Sequence, residues 1–481
     1  MLFNSFEFIF LFVPIVFFVY YLLVYLNYVR LSRIWLVISS LFFYSYWKLE
    51  YLPLILTSII VNFLLGFLIS NYQHKKIYLF LGIAFNLAIL GYYKYYDFIA
   101  ENINLFLEHK LPLLHLVLPL GISFFTFQQI AYLVDSYKRE TKEYDFFDYC
   151  LFVTFFPQLI AGPIVHHKEM MPQFESKENL KINYKNISSG LFLFSIGLYK
   201  KVIIADSLGV IADFGYSNTQ NISLIDAWLA SLSYTLQVYF DFSGYSDMAV
   251  GLGRLFNINI VWNFDAPFKT ENIQELWRKW HITLSRFLRD YIYIPLGGSK
   301  TSPLRNHFNL FITFLIGGIW HGAGWTYIIW GAMNGIGLIF HRVWRELGFE
   351  IKNKLLSIFI NFMYFHIGVV FFRADTVQNA IDVLKGMIGL NQILLPEFLK
   401  NYLSNSSYKF VNLGSNILNN IHADYGLYLI FGLLVAFLGK SSKSLAEDFR
   451  PNYFYLLFTL FLFISSVINL LKVSKFLYFN F

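Results

Sequence analysis

The chain has 481 residues, 57% of them hydrophobic, 21% aromatic and only 14% charged; soluble domains carry about 25% charged residues, so the composition excludes an ordinary soluble enzyme and fits a multi-pass membrane protein. The net charge of +7 lies in short loops between apolar runs, where it orients spans and is not a nucleic-acid signature. The lone Cys150 excludes an intrachain disulfide framework and argues against a cysteine metal site.

The first apolar run, 8–28, has no Lys or Arg before it and no small-residue cleavage site after it. A retained first span with an outside N-terminus is expected, not a cleaved signal. Runs near 34–47, 53–70, 77–97 and 115–134 follow; 34–47 is short against the about 20 residues that a span needs, and is expected to tilt or to thin the bilayer. Arg30/Arg33, His74-Lys75-Lys76 and Lys138-Arg139 fall on one side, assigned to the cytoplasm. The stretch Phe155–Pro163 is broken by Pro157 and Pro163, with Lys138, Arg139 and Lys142 before it and Lys168, Lys177 and Lys181 after it. Like-signed flanks and internal prolines predict a re-entrant segment, which is tolerated only inside protein or around a water-filled cavity.

Further runs lie near 187–205, 225–252, 308–340 (two helices meeting around His321), 355–372, 425–440 and 453–471, for roughly eleven or twelve spans in all. Residues 253–306 carry eight Lys/Arg and are expected in the cytoplasm. Residues 373–424, Asn-rich and weakly apolar, read as an outer loop with an amphipathic helix. The expected fold class is an all-α polytopic integral membrane protein, one membrane body over 1–481 with re-entrant and amphipathic helices.

The 225–252 run ends in Gln237-Val238-Tyr239-Phe240-Asp241-Phe242-Ser243-Gly244-Tyr245-Ser246-Asp247. Carboxylates at this depth face a polar cavity or pair with cations. Asp247 reads as part of a buried network anchoring the Arg-rich helix that follows; Asp241 stays open between network and site. That helix is expected over 272–290, with Thr270 as N-cap and Glu271 and Glu275 in the early turns. On a 3.6-residue wheel Ile273, Leu276, Trp277, Trp280, Leu284 and Leu288 share one face. Glu275, Arg278, Lys279, Arg286 and Arg289 share the other, and His281 lies at the edge of the apolar face. An interfacial helix meeting anionic membrane lipid explains the cations but gives no reason for His281. His166-His167 with Glu169 is a weak metal signal, and no metal is assigned.

Gly317 to Gly335 places one ionisable side chain, His321, among glycines and Trp320, Trp325 and Trp330. An intramembrane imidazole is costly unless paired or functional, while small residues let helix backbones or a substrate approach closely. Alone, this stretch leaves a site and a packing histidine at a helix crossing equally open.

Taken together, Gly91-Tyr92-Tyr93-Lys94-Tyr95, Pro119-Leu120-Gly121-Ile122-Ser123-Phe124, Phe156-Pro157-Gln158 through Ala161-Gly162-Pro163, Asp241 through Asp247, Trp277 through His281, Trp320-His321-Gly322 and Phe371-Phe372-Arg373-Ala374 resemble the membrane-bound O-acyltransferase (MBOAT) superfamily over most of the chain. The resemblance is to its bacterial branch of alginate and peptidoglycan O-acetylation, and next to D-alanyl transfer to teichoic acids. It implies acyl transfer on a funnel-shaped helical core in the cytoplasmic (inner) membrane. The family's near-invariant histidine is matched by His321, and its upstream Asn or His by His281, as the catalytic pair. Candidate substrate-binding residues in the same motifs are Gln158, Asp241, Ser243, Tyr245, Trp277, Arg278, Lys279 and Trp320. The resemblance also implies acetyl-CoA as donor substrate with no tightly bound cofactor, a polysaccharide outside the cell as final acceptor, and a separate periplasmic acetyltransferase partner.

Acyl transfer from a thioester to a hydroxyl needs a base, oxyanion stabilisation and exclusion of water. An imidazole, with an unperturbed pKa of about 6.5, is the natural base. The tryptophans would exclude water, and Arg278 and Lys279 would attract the phosphates of coenzyme A. Two alternatives stand beside this: D-alanine as cargo from a carrier protein, and a transporter or scaffold whose histidines are structural or relay protons. With no Gly-x-Ser-x-Gly elbow and no Walker-type loop, neither a serine hydrolase nor an ATP-driven pump is indicated.

Overall fold

The apolar runs fold as helices in a computed structural model that describes residues 1–141, 145–391, 394–395, 412–413, 424–470 and 477. Lys142 and most of the expected outer loop lie outside the described residues. A π-helical turn, Phe8–Phe12, leads into α1 (Val13–Tyr25), followed by α2 (Val29–Ser45), α3 (Leu52–Asn71) and α4 (Lys75–Leu90). A second π-helical turn, Gly91–Tyr95, carries α4 into α5 (Tyr96–Ile103), and α6 (Ile122–Tyr137) comes next. Pro53 stands in the first turn of α3, where proline is tolerated, and Pro14 stands just past the π-helical turn that leads into α1. α1 packs on α2, α3 on α4, and α6 on both α3 and α4.

The proline-broken stretch forms α7 (Phe146–Thr154) and α8 (Phe156–Leu159), each too short to cross a bilayer. Residues 148–165 are buried without a break, the enclosure that irregular backbone at membrane depth requires. Ser40 Oγ accepts from Phe156 N (3.1 Å), tying this segment to α2. In α9 (His167–Glu175), His166 is the N-cap of a capping box closed by Glu169.

α10 (Tyr184–Tyr199) runs through a π-helical turn, Lys200–Ala205, into α11 (Asp206–Ser217), and both pack on the 32-residue α12 (Leu224–Leu255). The Ser223 hydroxyl accepts from Asp226 N to cap α12, which is buried along most of its length. A network of ions holds the three helices together. Lys201 bridges Asp241 (2.6 Å) and Asp206 (2.7 Å), and Lys200 meets Asp247 (2.8 Å).

The predicted 272–290 helix is broken. It divides into α13 (Ile273–Lys279) and α14 (Ile282–Leu288), followed by a π-helical turn at Arg289–Tyr293. Asn272, not Thr270, caps α13, accepting from Glu275 N (2.9 Å); the Thr270 hydroxyl instead donates to Pro267 O (2.6 Å). The network around Asp247 also departs from expectation: its partners are Lys200 and Ser442 (2.6 Å), not the Arg-rich segment. α15 (Pro303–His321) and α16 (Trp325–Glu346) form a hairpin, and α17 (Lys354–Arg373) packs on α16. The amphipathic helix expected in 373–424 is α18 (Val377–Met387). A two-residue parallel pairing, Leu394–Leu395 with Asn412–Leu413, precedes α19 (Asp424–Leu438), α20 (Ser442–Asp448) and α21 (Tyr453–Ile468).

The molecule is an all-α polytopic integral membrane protein. Among the described residues, five continuous helices are long and apolar enough to cross a membrane: Phe8–Tyr25, Leu49–Asn71, Lys75–Ile103, Tyr184–Ser217 and Lys354–Arg373. The α19–α20 pair, bent by 61°, makes a sixth if it is one span. The larger count expected, roughly eleven or twelve, also took in α2, α6 and α21, which are only 17, 16 and 16 residues long. It took in α12, α15 and α16 as well, whose buried Asp241, Asp247, Asn309, Thr313 and Asn334 lower their apolarity.

The cytoplasmic placement expected for 253–306 can be tested directly. With Cys150, which is buried, replaced, a cysteine at the exposed Lys300 is expected to resist a membrane-impermeant thiol reagent in intact cells and to react in inverted vesicles. Labelling from outside would reverse the orientation.

Candidate active site

The α15–α16 crossing is set by glycine. A Cβ on Gly318 would stand 2.7 Å from Gly331 Cα, and one on Gly331 would stand 2.7 Å from Phe314 O. Any larger residue at either position forces the backbones apart. The glycines of the Trp-rich stretch thus do serve packing, and their close crossing delivers His321 at the last residue of α15. The imidazole is 3% exposed. Its ring lies 4.9 Å from Trp320, 5.0 Å from Trp330 on α16 and 5.2 Å from Phe372 on α17, edge-to-face in each case. This cage gives the imidazole apolar contact on several sides and excludes bulk water.

His281 occupies the break between α13 and α14, with φ 42° and ψ 52°. A left-handed conformation is uncommon for a residue with a Cβ and persists only where its surroundings hold it. Here Asn263 holds it. Its backbone carbonyl accepts from Ile282 N (3.0 Å), and its Oδ1 accepts from Thr283 N (3.2 Å) and Thr283 Oγ1 (2.9 Å). The same Oδ1 lies 3.2 Å from His281 Nδ1. A backbone N–H can only donate, so the amide orientation is fixed, and Nδ1 of His281 must carry the proton. In the neutral ring Nε2 is then the basic nitrogen. His281 is fully buried, packs against Phe242 of α12 at 4.7 Å, and lies 6.1 Å from the His321 ring. The two histidines, distant in sequence, occupy one buried site.

Two further residues complete the site. Asn263 lies in the charged middle segment and has no local pattern that singles it out; its role is visible only once the chain folds back on the 279–283 turn. Lys94 could have been noticed as a lysine at the end of an apolar run, an intramembrane charge. It stands in the π-helical turn after α4 and donates to Trp320 O (2.6 Å), His321 O (3.1 Å) and Ser123 Oγ (3.2 Å). A cation at a helix C-terminus is worth about 0.3–1 kcal/mol at the surface and up to about 2 kcal/mol when partly buried. Beside it is a cavity of about 260 Å³ lined by Tyr92, Tyr93, Lys94, Asp97, Gly322 and Tyr327, among others.

Comparison with known proteins gives this polytopic helical chain a family. Residues 41–373 fit the model of MBOAT, the membrane-bound O-acyltransferase family. The chain belongs to this family. A peptidoglycan O-acetyltransferase of Helicobacter pylori is 44% identical over 100% of this chain and 98% of its own length. A probable alginate O-acetylase AlgI of Pseudomonas aeruginosa is 38% identical over 82% of this chain and 76% of its own. A teichoic acid D-alanyltransferase of Streptococcus thermophilus is 27% identical over 47% of this chain and 57% of its own. The protein is therefore a membrane O-acyltransferase, which sets aside the transporter and scaffold alternatives.

Within this MBOAT chain the other candidate residues separate. Trp320 joins the histidines: its ring stacks on Phe127 (5.0 Å, 19°), and its Nε1 donates to Ser123 O (3.3 Å). Trp277 packs on Trp330 (5.8 Å) and Phe314 (4.9 Å), at the edge of the His321 cage. Gln158 Nε2 donates to Phe152 O (2.7 Å) inside the proline-broken segment, which reaches the site where Ile164 N donates to Thr283 Oγ1 (3.0 Å). Asp241 turns to Lys201, Tyr245 stacks on Phe3 (4.3 Å, 12°), and Ser243 is buried within α12. The expected cationic face is largely neutralised. Lys279 pairs with Glu275 (3.0 Å), Arg286 with Glu169, and Arg289 with Asp290 (2.7 Å), leaving Arg278 exposed. His166 meets the Tyr291 hydroxyl (3.1 Å) and His167 meets Asp135 (3.4 Å); burial pushes both imidazoles below their ordinary range.

Proposed function

We propose that the chain transfers acetyl groups from cytoplasmic acetyl-CoA to a hydroxyl presented from outside, for O-acetylation of an extracytoplasmic polysaccharide of the peptidoglycan type. A periplasmic acetyltransferase partner completes the delivery. The observation that carries this reading is the pair of buried imidazoles, 6.1 Å apart, inside an aromatic cage. The full-length similarity to the peptidoglycan O-acetyltransferase supports acetyl over D-alanyl cargo, whose relative above covers only 47% of the chain.

In the proposed step His321 takes the proton of the acceptor hydroxyl as its oxygen attacks the thioester carbonyl. The tetrahedral intermediate collapses, the C–S bond breaks, and the thiolate leaves and is protonated to the free thiol. His281, fixed by Asn263, serves the donor side of the same site. Arg278 is the exposed cation for coenzyme A phosphates, and the cage keeps water from hydrolysing the thioester.

The purified protein in nanodiscs is expected to consume acetyl-CoA in the presence of a soluble hydroxyl acceptor, with free thiol appearing in step with acetyl ester. Turnover of a D-alanyl carrier thioester and none of acetyl-CoA would replace the donor assignment.

A further inference from the structure

We infer that Lys94 is a positioning residue for acyl transfer, one that fixes the end of α15 and thereby the place of the His321 imidazole. The inference rests on the reading of His321 as the base. The last carbonyls of any helix lack intrahelical partners, and many helices satisfy them by a left-handed glycine immediately after the last turn. α15 does not: Gly322 is extended, with φ −164° and ψ 153°, so the chain turns away without supplying that cap. The carbonyls are taken up from more than two hundred residues upstream. Lys94 Nζ donates to Trp320 O and His321 O, and the neighbouring Tyr95 hydroxyl donates to Ile319 O (2.8 Å). One dipeptide in a π-helical turn therefore caps three consecutive carbonyls. The third donor of Lys94 goes to Ser123 Oγ on α6, so the amine is bonded to oxygens on two helices. The same side chain lies against the cavity bordered by Gly322 and Tyr327. Its loss would free the residue that bears the imidazole, on the side where that cavity opens.

The test is a set of variants in nanodiscs, read as acetyl-CoA affinity and turnover separately. Lys94→Met keeps the stem and loses the donors; its kcat is expected to fall on the order of 100-fold, the scale of about an ångström of misplacement, with donor affinity unchanged. Lys94→Arg keeps charge and donors and is expected to recover a substantial part of that loss. Tyr95→Phe, which deletes one hydroxyl and leaves the ring, is expected to lose several-fold in kcat, roughly one hydrogen bond's worth, and it carries the test if Lys94→Met is not recovered folded. Wild-type kcat in Lys94→Met, or in Tyr95→Phe where that is the variant available, overturns the inference. So does a loss shared equally by donor affinity and kcat, and so does a Lys94→Arg variant no better than Lys94→Met. His321→Ala in the same series distinguishes the two claims: if it turns over normally, the reading of His321 fails; if it is dead while Lys94→Met is normal, only the role of Lys94 fails.

Discussion

His321→Ala is expected to reach the membrane at the wild-type level and to leave the polysaccharide unacetylated. A general base contributes about 10²–10⁴-fold; Trp320, Trp330 and Phe372 on the ring cannot accept the proton, and His281, 6.1 Å away, is held by Asn263 for the donor side in the proposed division of roles. His321→Asn should be equally inactive, since an amide cannot accept the hydroxyl proton near neutral pH. His281→Asn should retain measurable turnover: an asparagine amide N–H can still donate to Asn263 Oδ1, which now accepts from the His281 side. Donor affinity should survive in both His321 variants, because removing a base acts on the transition state more than on the ground state. The measurement is acetyl ester on isolated cell wall, together with affinity and turnover of the purified variants. Full acetylation in a well-expressed His321→Ala strain would return the histidine to a packing role. Normal turnover of His321→Asn beside a dead His281→Asn would exchange the two assignments.

Lys201→Met is expected to destabilise the folded protein by about 3–5 kcal/mol, because it strands the buried Asp241 carboxylate, and the half-buried one of Asp206, without their cation. Asp241 is 1% exposed and lies 2.6 Å from Lys201; Asp206 is held by the same amine. Neutralising all three at once, Lys201→Met with Asp206→Asn and Asp241→Asn, should recover much of the loss, since no unpaired charge then remains. Thermal unfolding in detergent reads both. The same series decides what Asp241 does: a structural carboxylate changes stability and leaves donor KM alone when replaced by Asn. An Asp241→Asn protein with wild-type stability and a raised donor KM would put the residue in the substrate path.

The membrane character and the buried, proline-broken segment were legible because each depends on residue type and near neighbours, whereas pairing His281 with His321 came from the family resemblance. The helix break at Trp280–His281 was not. A helical wheel assumes an unbroken helix, and every residue of 273–288 suits one; the break is imposed from outside by Asn263, whose backbone and side chain claim the donors of residues 281–283. The cationic face misled for a similar reason. Charge along a helix can be counted from sequence, but Glu169, which neutralises Arg286, comes from α9, more than a hundred residues away. Apolar length alone did not separate lipid-facing helices from packed ones: α12 is apolar for packing among other helices and buries Asp226, Asp241 and Asp247 besides.

The π-helical turns have a consequence for how the molecule meets lipid. Lys75–Ile103 and Tyr184–Ser217 are each continuous helices interrupted by one such turn, at Gly91–Tyr95 and Lys200–Ala205. One extra residue in a turn rotates everything beyond it by about 100° relative to an unbroken helix. The stripe that faces lipid in one half of the helix therefore does not continue into the other. Each helix can offer hydrocarbon-compatible side chains to lipid before the turn and, at the turn, aim a lysine into the protein. Lys94 and Lys201 both stand in these turns, and deleting a single residue from either would send its charge toward the acyl chains.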